Sequence, residues 1–246
     1  MSQPTSSIIV FIHGSGDNAR VWRPQTTYFG PQRALAIDLP GHGQRPDTLA
    51  PDVTVQEYAH ATYEIVTNEL YLQRPIIAGH SLGGAVALTM AIEYGAQLGG
   101  LILVGTGARL RVHPTLLDDA QLSPEAAQTR LSSLALARST PLSVAQETMR
   151  EQQAEGATGT SVLYRDLAAC NIFDIMPHLS EIALPTLILC GEDDRLTPPK
   201  YSEYLHQHIP GSTLRIIANA GHYVMREQAQ AVNSAIEQWL YEIPVQ

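Results

Sequence analysis

Pro75-Ile76-Ile77-Ala78-Gly79-His80-Ser81-Leu82-Gly83-Gly84-Ala85-Val86-Ala87-Leu88-Thr89-Met90-Ala91-Ile92 reads as strand, sharp turn and helix, with a serine at the apex. The glycines two residues either side of Ser81 answer a steric need. A turn this tight brings strand and helix so close that a side chain at 79 or 83 would clash. The turn also lifts the Ser81 hydroxyl off the sheet. It aims that hydroxyl at the helix N-terminus, whose unpaired N–H groups favour developing negative charge. Glycine makes up about 7% of average proteins, so G-x-S-x-G alone is a weak signal. Ser81 reads as a nucleophile only if the chain also supplies a base, an acid and oxyanion donors.

Short apolar runs like the one before Ser81 recur at 8–12, 34–37, 101–104, 186–189 and 214–217. Their hydrophobicity is continuous rather than alternating, which suits strands buried on both faces of a parallel sheet. Helical stretches lie between them. Thr54-Val55-Gln56-Glu57 is a capping box that opens a helix through about Leu70. Residues 200–208 and 228–240 are further helices. Alternating strands and helices give an α/β fold with a mostly parallel sheet.

From Arg109 to Leu184 the alternation stops. Ser123-Pro124 reads as an N-cap followed by proline at the first helical position. Ser143-Val144-Ala145-Gln146 reads as a second capping box, 155–159 as a loop between helices, and Asp174 as the cap of a short turn. The chain therefore divides into a core, 1–108 with 185–246, and a helical insertion, 109–184. Inserted between two strands, those helices are expected over the C-terminal edge of the sheet, where ligands bind in open α/β folds.

A net charge of −9 with no basic run excludes a nucleic-acid or anionic-membrane partner. The apolar run at 8–12 is too short for a signal peptide or a span, so the expected setting is cytoplasmic and soluble. Cys170 and Cys190 match no zinc or redox spacing and read as two buried free thiols.

A serine hydroxyl needs a base to take its proton and a group to orient that base. His222, in Asn219-Ala220-Gly221-His222-Tyr223, follows the last strand and is the base candidate. His80 adjoins Ser81 in the turn and is poorly placed to reach its hydroxyl. The acid falls within Glu192-Asp193-Asp194, directly after a buried strand. Oxyanion donors would be the Leu82 N–H and one from the loop His13-Gly14-Ser15-Gly16, with Ser15 first and Gly16 the alternative. His13 itself reads as a structural residue of that loop.

Together these motifs resemble the α/β-hydrolase family. They are His13-Gly14-Ser15-Gly16, Asp38-Leu39-Pro40-Gly41-His42-Gly43, Gly79-His80-Ser81-Leu82-Gly83-Gly84, Gly191-x-x-Asp194-x-x-x-Pro198 and Gly221-His222. They span nearly the whole chain in the family's order of nucleophile, acid and base. The resemblance implies a Ser81–His222–Asp194 triad, favours Asp194 over its neighbours, makes His42 a structural turn residue and makes the insertion a cap. With only seven residues before the first strand, the sheet should hold six strands, or seven at most. Gln44 stands where the family often has a small serine.

The activity this implies is hydrolysis of a small carboxylic ester through an acyl-enzyme, with no metal or organic cofactor. Lactonase, thioesterase and C–C hydrolase chemistry share the scaffold, and the motif style is similar to that of 3-oxoadipate enol-lactonase-like proteins. A ligand-binding, receptor-like protein with slow or no turnover is the alternative of another class. The expected partner is a small ester or lactone. Trp22, His80, Tyr164, Phe173 and Tyr223 are candidate pocket residues, as are Leu116, Leu117, Leu163, Ile175 and Met176. Packing is the alternative for each. Arg109, Arg111 and Arg165 read as solvated.

Overall fold

The computed structural model describes residues 8–153 and 160–243. Six strands form one parallel sheet: β1 (Ile9–Ile12), β2 (Ala34–Ile37), β3 (Ile76–His80), β4 (Gly100–Val104), β5 (Thr186–Gly191) and β6 (Thr213–Ile217), in the order β2-β1-β3-β4-β5-β6. Each falls on one of the apolar runs, and six is the smaller of the two expected counts.

Successive residues of a strand point to opposite faces, and the core divides accordingly. Val10 and Ile12 join one apolar cluster, with Ile77, Leu101, Leu103 and Ile188. Ile9 and Phe11 join the other, with Ile76, Ala78, Ile102, Val104, Leu187 and Leu189. Helices α1 (Arg23–Phe29) and α10 (Ala229–Glu242), with the short α9 (Val224–Glu227), cover the second face. Helices α2 (Val55–Glu64), α3 (Leu82–Tyr94) and α8 (Pro199–His208) cover the first. Each wholly buried Leu, Ile or Val is worth roughly 1.5–3 kcal/mol relative to leaving it in water.

The Thr54–Glu57 capping box forms as read, and α2 continues into a wider turn over Ile65–Glu69. Helix α3 is buried along nearly its whole length, which explains why its sequence has almost no polar face.

Between β4 and β5 lie α4 (Pro114–Leu122), α5 (Pro124–Ala135), α6 (Leu142–Gln153) and α7 (Thr160–Ile172). Ser123 is the N-cap residue of α5, with Pro124 first in the helix, although its side chain makes no capping bond. The Asp174 carboxylate accepts the Met176 N–H, opening the short turn over Met176–Glu181. Ser143 is no cap: α6 has already begun, and the Ala145 N–H bonds the Pro141 carbonyl. The expected loop at 155–159 lies outside the described residues. Leu116, Ala120, Ala127, Leu163 and Leu167 form a separate small core among these helices. Among the described residues, no helix is long and apolar enough to cross a membrane.

The chain turns back on itself at β1. It goes from β1 to β2 on one side, then returns to β3 on the other. The loop after β1 and the loop after β3 therefore meet at a switch point, the usual place for a ligand crevice in such a sheet.

Candidate active site

Ser81 sits at the end of β3 with φ 52° and ψ −116°. Residues bearing a Cβ seldom adopt such a backbone, and it persists only when surrounding structure over-determines it. Four hydrogen bonds do so. The Ser81 N–H donates to Val104 O at 3.1 Å, and the Ser81 carbonyl accepts Gly84 N, Ala85 N and Thr106 Oγ1 at 2.9, 3.1 and 2.8 Å. The two glycines are as constrained as the sequence suggested. A Cβ on Gly79 would strike the Gly83 carbonyl, and one on Gly83 would lie 2.5 Å from the carbonyl oxygens of Ile12 and His13.

The three acids after β5 are distinguished by burial. Glu192 and Asp193 are exposed, whereas Asp194 is 3% exposed. Its Oδ1 accepts the Leu196 and Thr197 N–H groups, each at 2.9 Å. Its Oδ2 accepts the Thr197 hydroxyl at 2.8 Å and His222 Nδ1 at 2.9 Å. Burial works against the carboxylate, but His222 and the Thr197 donors outweigh it and hold Asp194 below its ordinary value. A carboxylate facing Nδ1 puts the ring proton there, leaving His222 Nε2 free to accept one.

His222 is itself clamped. Its N–H donates to Ala135 O at 2.6 Å. The Gly221 N–H donates to Glu227 Oε1 at 3.0 Å, and Glu227 Oε2 accepts Ala137 N and the Thr140 hydroxyl. His80 lies under it, donating Nε2–H to the His222 carbonyl at 3.0 Å. Burial, then the neighbouring His222, push the His80 pKa well below its usual value, so His80 is neutral.

The loop after β1 completes the arrangement. His13 Nε2 accepts the Leu39 N–H at 3.1 Å, so Nδ1–H donates to Gly14 O at 2.8 Å. Burial and the nearby His42 push the His13 pKa down to about 4, which keeps this ring a neutral structural strut. The Gly16 N–H is already committed, donating to Asp166 Oδ2 at 2.8 Å. Of the two donor candidates in this loop, Gly16 therefore has its N–H engaged by a carboxylate, while Ser15 lines the cavity.

Gly14, Ser15, Ser81, Thr197 and His222 line one cavity of about 450 Å³, together with Leu116, Leu131, Leu134 and Leu167 of the inserted helices. Ser81 and His222 share this cavity, but no hydrogen bond joins their side chains. Catalytic hydrogen bonds often tighten only around the substrate.

Of the five pocket candidates, His80 and Tyr223 line the cavity. Trp22, Tyr164 and Phe173 do not. Trp22 is wholly buried behind His80, its ring 4.7 Å from that of Phe11. Tyr164 packs on the small core of the insertion, and Phe173 belongs to the main core beneath it. Of the aliphatic candidates, Leu116 alone reaches the cavity. Leu117 and Leu163 serve the insertion's core, while Ile175 and Met176 pack on the main one.

Arg109 and Arg111 are exposed as expected, Arg109 pairing with Asp174 and Arg111 also bordering the cavity. Arg165 departs from expectation: it is buried, bonding Asp47 Oδ2 at 2.7 Å and Pro40 O at 3.2 Å. Sequence reasoning missed Thr197, Glu227 and Asp166. Thr197 alone had a local signal, three residues beyond the acid. Cys170 and Cys190 are free and buried. Among the described residues, no group of three or more His, Cys, Asp or Glu side chains is placed to hold a metal ion.

The model of the alpha/beta hydrolase family matches residues 9–235. The chain is 28% identical over 225 residues to RutD of Escherichia coli O6:H1, a protein named as a candidate carbamate hydrolase, covering 87% of this chain and 81% of that one. It is 36% identical to a thermophilic esterase of known structure, with a TM-score of 0.83 and coverage of 95% and 89%. The enol-lactonase from Burkholderia xenovorans LB400 superposes with a TM-score of 0.87 over 96% of this chain and 92% of that one. At 20% identity, that likeness is one of fold alone.

Proposed function

Because the chain belongs to the α/β-hydrolase family, we propose that this hydrolase cleaves a small carboxylic ester through an acyl-enzyme. Ser81 Oγ attacks the carbonyl carbon while His222 Nε2 takes its proton. Asp194 holds the ring in the required tautomer and stabilises the imidazolium that forms. The Leu82 and Ser15 N–H groups receive the oxyanion, and the N-terminus of α3 adds its dipole. His222 then protonates the leaving alcohol, and water repeats the sequence on the acyl-enzyme. The inserted helices act as a cap whose leucines, Leu116, Leu131, Leu134 and Leu167, give the acyl group an apolar bed.

The observation that carries this reading is the buried Asp194–His222 pair at 2.9 Å, opening on the same cavity as a serine held at a strained elbow. The 36%-identical thermophilic esterase supports an ester as the substrate. Cleavage of a carbamate is the second reading, favoured by RutD. The same attack on a carbamate ester would release its alcohol and leave a carbamoyl-enzyme, which water then hydrolyses to a carbamic acid.

The test is a panel of p-nitrophenyl esters of rising chain length, with lactones, thioesters and carbamates alongside. Stoichiometric labelling of Ser81 by a fluorophosphonate and turnover of short esters are expected. Ser81→Ala should lose at least about 10⁴-fold in kcat/KM. A Ser81→Ala protein with full esterase activity would refute the mechanism.

A further inference from the structure

Asp166 lies on α7, within the insertion, and its side chain is wholly buried. It is the meeting point of three segments of the core. Oδ1 accepts the Tyr58 hydroxyl at 2.7 Å. Oδ2 accepts His42 Nε2–H and the Gly16 N–H, each at 2.8 Å. These donors come from α2, from the turn after β2 and from the loop after β1.

The His42 ring faces acceptors on both sides. Its Nδ1 lies 3.1 Å from the Pro40 carbonyl, and its Nε2 meets the Asp166 carboxylate. The Pro40 carbonyl cannot donate, nor can a carboxylate, so with a carboxylate at Asp166 both bonds form only if both ring nitrogens carry protons. This geometry favours the charged form of His42: burial opposes the charge, but Asp166 raises the pKa against that cost. The remaining Asp166 lone pair on Oδ2 holds the amide of Gly16, one residue beyond the proposed oxyanion donor. A charged acceptor makes that amide bond stronger than a neutral one would. Ser15, the residue before it, lines the cavity.

We propose that Asp166 is a positioning residue for the oxyanion loop, fixing Ser15 N–H through the Gly16 amide from within the insertion. This rests on the serine-hydrolase reading above. Asp166 touches no reacting atom. It acts by holding a donor where negative charge will develop, and such preorganisation counts in the transition state more than in substrate binding.

The test compares wild type with Asp166→Asn and Asp166→Ala. Asn preserves shape while weakening the acceptor, and so keeps the question answerable if Ala fails to fold. Rates on a short p-nitrophenyl ester are normalised to serine titrated by a fluorophosphonate. Affinity for a trifluoromethyl ketone, which forms a tetrahedral adduct, is measured in parallel. For Asp166→Asn, kcat per titrated serine should fall about tenfold or more, with KM within about twofold, and ketone affinity should fall by a similar factor. A merely structural Asp166 would lower the melting temperature and the yield of titratable serine but leave both per-site quantities within about twofold of wild type. That result would overturn the proposal. A wild-type protein that neither labels at Ser81 nor binds the ketone would instead overturn the underlying serine-hydrolase reading.

Discussion

Replacing Asp194 by Asn changes one atom and should disable the base. Oδ1 of Asp194 accepts two backbone N–H groups, from Leu196 and Thr197, each at 2.9 Å. An amide must keep its oxygen there, because reversing it would set NH₂ against two donors. The NH₂ group then faces His222 Nδ1, where the carboxylate Oδ2 now sits at 2.9 Å. Donor against donor is unfavourable, so the ring proton moves to Nε2. The nitrogen that should accept the Ser81 proton is then already protonated. A triad forced into the wrong tautomer loses about 10⁴ in kcat, or about 5.5 kcal/mol of transition-state stabilisation at about 1.4 kcal/mol per decade. The assay is kcat on a p-nitrophenyl ester, normalised to fluorophosphonate-titrated serine, with the melting temperature followed alongside. An Asp194→Asn protein whose kcat stays within tenfold of wild type would refute the tautomer argument. The stability consequence has a definite sign. The Asp194 pKa is lowered on folding, so its stabilisation is present above the unfolded value and lost as pH falls through the folded one.

His42 lies against His13, Tyr58, Arg165 and Asp166. Burial opposes its charge, but the Asp166 carboxylate outweighs this and raises its pKa above 6.5. The stabilisation is therefore full below pH 6.5 and lost as pH rises through the folded value. In urea titrations, the difference in unfolding free energy between wild type and His42→Gln should be largest at pH 6 and shrink by pH 9; a gap independent of pH would contradict the imidazolium assignment. Burial pushes the thiols of Cys170 and Cys190 up to about 12. Although Cys170 borders the cavity, neither should react with a disulfide reagent at pH 8 until the protein unfolds, when two thiols per chain should titrate.

The sheet was legible because burial on both faces leaves unbroken apolar runs, such as Leu101-Ile102-Leu103-Val104. The elbow was legible because two of its glycines have no room for a Cβ. Asp166 was not legible. Its partners stand 108, 124 and 150 residues away, so no local pattern marks it, and a charged residue on a helix ordinarily reads as solvent-facing. Arg165 was misread for the same reason. Trp22 and Phe173 looked like pocket walls because a large aromatic serves a cavity or a core equally well. Only the packing around Phe11 and beneath the inserted helices distinguishes the two uses.

Every strand pair in the sheet is parallel, so each must wait for a crossover of intervening chain to close before its ladder can form. The loop holding Ser15 follows β1, Ser81 follows β3, Asp194 follows β5 and His222 follows β6, so no contiguous stretch of the polypeptide holds the proposed catalytic set. The proposed site can therefore form only once distant parts of the chain have been brought together. On the nascent chain, Ser81 cannot meet His222 until the ribosome has released every residue between them.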